Sequence, residues 1–231
     1  MISPDINAKY GQVIRQGKCQ PYECYKTFLI HVPKCGGSSI KHVLQNKAGY
    51  VVHGHTSALG YKQTHPALFD KYYKFAFIRN PFDRLVSVYH FSKRVQERAF
   101  RVNLDASKTF GAFVDKVCEH FNKLMCCEVL CPQVTFITDE MGSVVVDDLF
   151  LFEDMDWAWS IISKKIGCME PLGHRNKTNH EPYMHYYTDE LKSKVYGLYY
   201  EDFQLYERIV ADDMRMKSDI SLDLISRGLD G

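Results

Sequence analysis

The stretch Phe28-Leu29-Ile30-His31-Val32-Pro33-Lys34-Cys35-Gly36-Gly37-Ser38-Ser39-Ile40 decides how the chain is read. Its dense apolar opening predicts a strand over Tyr25–His31, covered on both faces as in a parallel sheet. The polar middle is a turn. Gly37–Asn46 then reads as a helix, with Ile40, Val43 and Leu44 at core spacing. Lys34, Gly36, Gly37, Ser38 and Ser39 therefore stand where a helix begins. Free backbone N–H groups and the helix dipole favour an anion at such a place.

A second stretch has the same form: Phe75-Ala76-Phe77-Ile78-Arg79-Asn80-Pro81-Phe82-Asp83-Arg84-Leu85-Val86-Ser87-Val88-Tyr89. A strand over Tyr73–Ile78 runs into a helix whose first residue is Pro81 and whose cap is Asn80. Phe82, Leu85, Val86 and Tyr89 give that helix an apolar stripe, and Ser87 shares a different face with Arg84, Phe91 and Arg94. Arg79 stands at a buried strand end, where a desolvated guanidinium calls for an anionic partner. The plainer alternative is a capped helix whose Arg79 and Arg84 are simply solvated. Two anion sites on one chain suggest a ligand phosphorylated at both ends.

Outward from these stretches, short strands are expected at Tyr50–Val52 and Asp148–Phe152. Helices are expected at Pro66–Lys71, Phe110–Met125, Asp154–Ile166 and Thr188–Val210, with Gly167–Tyr183 as a loop. Strands alternating with helices predict an α/β fold with a central, mostly parallel sheet flanked by helices. Ligands in such sheets bind at the carboxyl ends of strands. Lys34, His53, His55 and Arg79 all follow predicted strands and can converge on one rim.

A length of 231 residues fits one large domain. Residues 1–24 read as an irregular lead-in, 25–210 as the working domain, and 211–231 as a tail, either part of that domain or flexible. A net charge of +1 argues against general nucleic-acid binding. Between Lys74 and Arg101, however, seven basic residues meet only two acidic ones, and this run contains the second motif. The Asp139–Asp156 run, with seven acidic residues and no basic one, reads as a solvated face. No apolar stretch approaches the roughly 20 residues needed to span a bilayer, and Met1–Lys18 lacks the apolar centre of a secretory signal. A cytoplasmic protein is expected. Of the eight cysteines, Cys118, Cys126, Cys127 and Cys131 cluster without the paired spacing of a zinc ribbon. Buried thiols suit a reducing compartment; one or two disulfides suit an oxidising one.

The first motif is not the Walker phosphate loop, in which lysine follows the second glycine. Here Lys34 precedes Gly36-Gly37, and no acidic magnesium ligand is visibly paired with the loop. A P-loop nucleotide kinase or NTPase stays as the alternative, as does a nucleotide-binding relative without activity.

Together the two motifs resemble the nucleotide-binding elements of sulfotransferases that use 3′-phosphoadenosine-5′-phosphosulfate (PAPS). Val32–Ser39 is similar to the family's 5′-phosphosulfate loop, and Ile78–Ser87 to its 3′-phosphate element. Within the superfamily the likeness is to the carbohydrate branch, above all the uronyl and heparan sulfate 2-O-sulfotransferases. These carry a His-Gly-His tripeptide between the two elements, where this chain has His53-Gly54-His55. Cys131-Pro132-Gln133, Phe152-Glu153-Asp154, Asn176-Lys177-Thr178 and the helix around Asp202 add weaker likenesses, so that the resemblance covers roughly residues 25–208. The sequence is shorter than the Golgi enzymes, and a protein without a membrane anchor or obvious insertions to wrap a polysaccharide is expected. A Golgi-lumenal location is the alternative for an anchorless catalytic domain.

The resemblance implies a P-loop-type three-layer fold and a sulfuryl transfer from PAPS, leaving adenosine 3′,5′-bisphosphate (PAP). His55 would be the general base for an acceptor hydroxyl, with His53 in reserve. Lys34 would stabilise the leaving phosphate. Cys35, Gly36, Gly37, Ser38 and Ser39 would line the 5′-phosphate, and Arg79 and Ser87 would hold the 3′-phosphate. Arg175 and Lys177 could close over the nucleotide. No metal is required, since lysine and arginine replace magnesium. The acceptor would be a glycan or another small hydroxylated molecule, and a homo-oligomer is allowed. Tyr183, Tyr186 and Tyr187 could stack on sugar rings or belong to the core.

Overall fold

Three strands, β1 (Thr27–Ile30), β2 (Tyr73–Ile78) and β3 (Asp148–Leu151), form a parallel sheet with β2 in the middle. The computed structural model describes residues 20–48, 54–95, 107–124, 127–173 and 181–228. Thr27 lies opposite Tyr73 and Ile30 opposite Ala76; Phe75 lies opposite Asp148 and Ile78 opposite Leu151. Because all three strands point the same way, His31, Arg79 and Phe152, each one residue past a strand, reach the same edge. Every residue of β1 and all but the first of β2 are buried, which is why these segments read as unbroken apolar runs rather than as an alternation.

Helices flank the sheet. They are α1 (Gly37–Ala48), α2 (Ala58–Thr64), α3 (Pro66–Phe69), α4 (Pro81–Val95), α5 (Phe110–Leu124), α6 (Val134–Ile137), α7 (Met155–Ile166), α8 (Asp189–Leu198) and α9 (Tyr200–Gly228). The core joins Phe28 and Ile30 of β1, Phe75, Phe77 and Ile78 of β2, Ile40 and Leu44 of α1, and Phe113 of α5. Asn80 caps α4 as expected, its side-chain oxygen accepting from the Phe82 N–H at 3.0 Å. No helix among the described residues is long and apolar enough to cross a membrane.

The elements differ from the sequence expectation most clearly in four places, beside shifts of one or two residues at the ends of α1, α3 and β3. Strand β1 starts at Thr27 rather than Tyr25, because Glu23–Tyr25 forms a tight turn closed by Lys26 in the left-handed conformation (φ 47°). Helix α2, unforeseen, is capped by Ser57, whose hydroxyl accepts from the Gly60 N–H at 3.1 Å. The expected Thr188–Val210 helix is two helices broken at Tyr199 (φ −119°, ψ 32°). Tyr199 turns its ring into the core and donates its hydroxyl to the Leu130 carbonyl at 2.9 Å, which a continuous surface helix would not permit. Helix α9 then continues to Gly228 without a break at 210. The expected strand at Tyr50–Val52 lies outside the described residues.

Tyr187 belongs to the core: it is buried and donates to the Phe82 carbonyl at 3.0 Å. Tyr183 and Tyr186 are half-buried, the first stacked on Phe82 and the second bonded to His90 Nε2 at 2.9 Å. Cys35, Cys127, Cys131 and Cys168 are buried, and no disulfide joins the described cysteines.

Candidate active site

The turn from β1 to α1 takes an uncommon path. Lys34 (φ 67°) and Gly36 (φ 76°) both lie in the left-handed region. For a lysine this conformation costs roughly 1–2 kcal/mol, so its surroundings must hold it there. They do so through the second motif. Arg79 Nη1 donates to the Lys34 carbonyl at 3.3 Å and Arg84 Nε donates to the Pro33 carbonyl at 3.1 Å. Cys35 turns inward, its N–H bonded to the Val32 carbonyl at 3.4 Å and its thiol to Gln133 Oε1 at 3.0 Å. Burial pushes that thiol up to about 12, so it stays protonated. With the Ser39 N–H tied to the Gly36 carbonyl at 3.0 Å and Gly37 buried, the outward-facing part of the loop is Lys34, Gly36 and Ser38.

Packing requires both glycines. A Cβ on Gly36 would run into Met155 and Phe152, and one on Gly37 into the ring of His31.

The ammonium of Lys34 lies 4.4 Å from the centre of the Phe91 ring and has no carboxylate partner among the described residues. Burial first, and then the nearness of Arg94, Arg79 and Arg84, lower its pKa to about 8, with Cys35 opposing. Arg94 lies over the same ring, 5.8 Å from its centre. A half-desolvated lysine amid three arginines is a site built for a multiply charged anion.

Arg79 is buried. Its Nε donates to Asp83 Oδ2 at 2.8 Å, and its guanidinium lies 4.3 Å from the centre of the Phe152 ring. Nη2 makes no bond among the described residues. Ser87, also buried, faces the same way as Arg84 and Phe91 on α4, and its hydroxyl makes no hydrogen bond among the described residues. Arg84 is not solvated at all. Besides Pro33, it donates through Nη2 to the Val129 carbonyl at 3.1 Å and the Cys131 carbonyl at 2.7 Å.

Two residues missing from the sequence-based site hold this rim together. Gln133 clamps the backbone of Arg79, accepting from its N–H and donating to its carbonyl, both at 2.9 Å. Asp202, fully buried, accepts from the Gln133 and Val134 N–H groups at 2.8 and 3.0 Å and lies 3.8 Å from Arg84 Nη1. Desolvation raises its pKa to about 6, against the opposing pull of Arg84 and the two N–H bonds. Both residues stand within stretches of family likeness, and the available signal was a polar side chain amid apolar neighbours. On the far side, Glu153 Oε1 accepts from the Asn80 N–H at 2.9 Å.

His55 sits beside the loop rather than in it. Its Nδ1 is 2.7 Å from Glu128 Oε2, and its ring centre is 4.5 Å from that of His31. His31 is in turn packed where a Gly37 side chain would be. The line His55–His31–Gly37 thus brings the imidazole within one side chain of the start of α1. Burial, then the nearness of His55, Lys41 and Lys34, lowers the His31 pKa well below its ordinary value, so His31 is neutral at pH 7. Sequence reading missed both His31, as part of a strand end, and Glu128, which no local pattern ties to His55. The expected site residues His53, Arg175 and Lys177 lie outside the described residues.

No curated protein matches the chain. The model of the sulfotransferase family matches residues 23–207, a span that takes in both strand–turn–helix motifs, His55, Gln133 and Asp202. The chain belongs to the sulfotransferase family and is an enzyme of sulfuryl transfer, its membership implying PAPS as donor.

Proposed function

We propose that this enzyme moves the sulfuryl group of PAPS to a hydroxyl of a carbohydrate or another small hydroxylated acceptor, with His55 as general base. The observation that carries this reading is Lys34, a desolvated ammonium without a carboxylate partner among the described residues, one loop away from an imidazole that a carboxylate holds in place.

In this reading the Gly37 and Ser38 N–H groups and the Ser38 hydroxyl receive the 5′-phosphate at the start of α1. Arg79, through Nη2, and Ser87 receive the 3′-phosphate. The acceptor oxygen attacks sulfur in line, the bond from sulfur to the 5′-phosphate oxygen breaks, and the acceptor's proton passes to His55. Charge grows on the departing phosphate oxygen, and Lys34 meets it there. The products are a sulfate ester and PAP. Since the uronyl 2-O-sulfotransferases carry the same tripeptide between the same elements, a uronic acid-containing glycan is the first acceptor to try.

The test is transfer of labelled sulfate from PAPS to a panel of glycans and small hydroxylated compounds. His55→Ala should lower turnover about 10²–10⁴-fold, the usual worth of a general base. PAP binding by calorimetry should be unchanged, and PAP should bind in preference to ATP. Full activity in His55→Ala would refute the base assignment, and a preference for ATP would refute the donor.

A further inference from the structure

The base assignment leaves open which ring nitrogen of His55 faces the acceptor, and the geometry supplies an answer. The Nδ1 of His55 is 2.7 Å from Glu128 Oε2, the short distance of a charge-assisted bond. Where the carboxylate is the acceptor in this contact, Nδ1 carries the proton and Nε2 keeps its lone pair. Both side chains are sheltered, with His55 about one quarter exposed and Glu128 less. The His31 ring packs against the imidazole, its centre 4.5 Å away and its plane tilted by 51°. As a neutral ring, His31 adds no positive charge next to a base that must become positive.

The backbone that follows Glu128 is held in place. Glu128 opens a short turn, Glu128–Leu130, whose three successors are each pinned: Val129 and Cys131 through their carbonyls to Arg84, and Leu130 through its carbonyl to Tyr199. The same Arg84 guanidinium holds Pro33, the residue before Lys34. One buried side chain therefore sets the carboxylate behind the base and the loop that carries the leaving-group lysine in a fixed relation.

We propose that Glu128 is a positioning residue for sulfuryl transfer: its carboxylate fixes His55 with the proton on Nδ1 and turns Nε2 towards the acceptor hydroxyl. This rests on His55 being the base. Such an orienting third group is a general part of nucleophile–base arrangements, and its removal leaves the base present but misdirected.

The experiment combines kinetics on the best acceptor of the panel with nitrogen-15 spectra of the histidine rings and PAP calorimetry. In the unaltered enzyme the His55 signals should be those of an Nδ1–H ring. Glu128→Ala should give a mixture of tautomers and a kcat lower by about 10²-fold, with the KM for PAPS and the PAP affinity unchanged. Glu128→Gln, close to isosteric and able to accept from Nδ1–H through its amide oxygen, should keep the tautomer and recover part of the rate. An Nε2–H ring in the unaltered enzyme overturns the proposal, as does Glu128→Ala with kcat within twofold of the original. A loss of PAP affinity in both variants, parallel to the loss of rate, also overturns it, because it would mark a purely structural role. If His55→Ala kept full activity, the base assignment would fall on its own, whereas the nitrogen spectra would still report on the orientation.

Discussion

The two sides of this site are built in opposite ways. The anion side is local: Lys34 and Gly36–Ser38 follow β1 directly, Arg79 follows β2, and Ser87 lies two turns into the helix that comes next. The base side is assembled from distant places: His31 at a strand end, His55 before a short helix, and Glu128 in a turn between α5 and α6. Anion binding needs little beyond a helix start and a few cations in sequence, so it can be written in a short motif. Orienting a base needs a carboxylate at hydrogen-bond distance, and any part of the chain can bring it there. Arg84 joins the two sides, since it bonds to Pro33 on one and to Val129 and Cys131 on the other.

The largest effect expected from breaking that join comes from Asp202→Ala. Without the carboxylate, the buried N–H groups of Gln133 and Val134 lose their acceptor and Arg84 loses its only nearby countercharge among the described residues. Removing one member of a buried pair typically destabilises by about 3–5 kcal/mol. Urea unfolding should show the midpoint falling accordingly, and both rims should loosen together. Glu207→Ala, exposed on the same helix, is the control and should leave the midpoint within about 0.5 kcal/mol of the original. A midpoint unmoved in Asp202→Ala would mean that the two rims are held independently.

A smaller perturbation crosses from one side to the other. Gly37 begins α1 on the anion side, yet the space its side chain would fill is taken by the His31 ring. Gly37→Ala would improve helix propensity but force His31 against His55, an overpacking that costs about 1–3 kcal/mol. We expect kcat to fall more than PAP affinity, even though the substitution lies in the phosphate loop. If PAP affinity alone suffers, His31 does not transmit the displacement and the base side is independent of Gly37.

The same contrast explains what could be read in advance. The strands β1 and β2 were legible because burial on both faces leaves continuous apolar runs, and α4 because Asn80-Pro81 announces a helix start. The break at Tyr199 was not, since an apolar stripe continues across it and only the distant Leu130 carbonyl draws the tyrosine inward. Arg84 shows the limit most clearly. Its place in the helix gave it a face shared with Ser87, but its partners are carbonyls 45 to 51 residues away, and carbonyls have no signature in a sequence. Gln133 and Asp202 were noticed only as points of family likeness; their work as backbone clamps follows from burial, which makes every unsatisfied N–H expensive. Glu128 had no signal of any kind, because a single acidic residue after a cysteine pair looks like ordinary surface.

The finest test of the anion side is a proton count, and it follows from Lys34. In the free enzyme burial and the neighbouring arginines bring its pKa down to about 8 from the model-compound value of 10.5. Between these two values the unfolded chain holds a proton that the folded chain has released. The contribution of Lys34 to folding stability therefore increases as pH rises through that window. Binding should run the other way. The phosphates of PAP favour the charged ammonium, so the complex retains the proton to higher pH than the free enzyme does. Above pH 8 PAP affinity should fall, and each binding event should take up a fraction of a proton, measurable by calorimetry in buffers of different ionisation heat. Lys34→Met removes the group and should abolish both that uptake and the corresponding rise in stability. Stability and affinity moving in opposite directions with pH, both through one residue, is what a cation kept desolvated to receive an anion requires. Parallel movement would mean that Lys34 already has its countercharge.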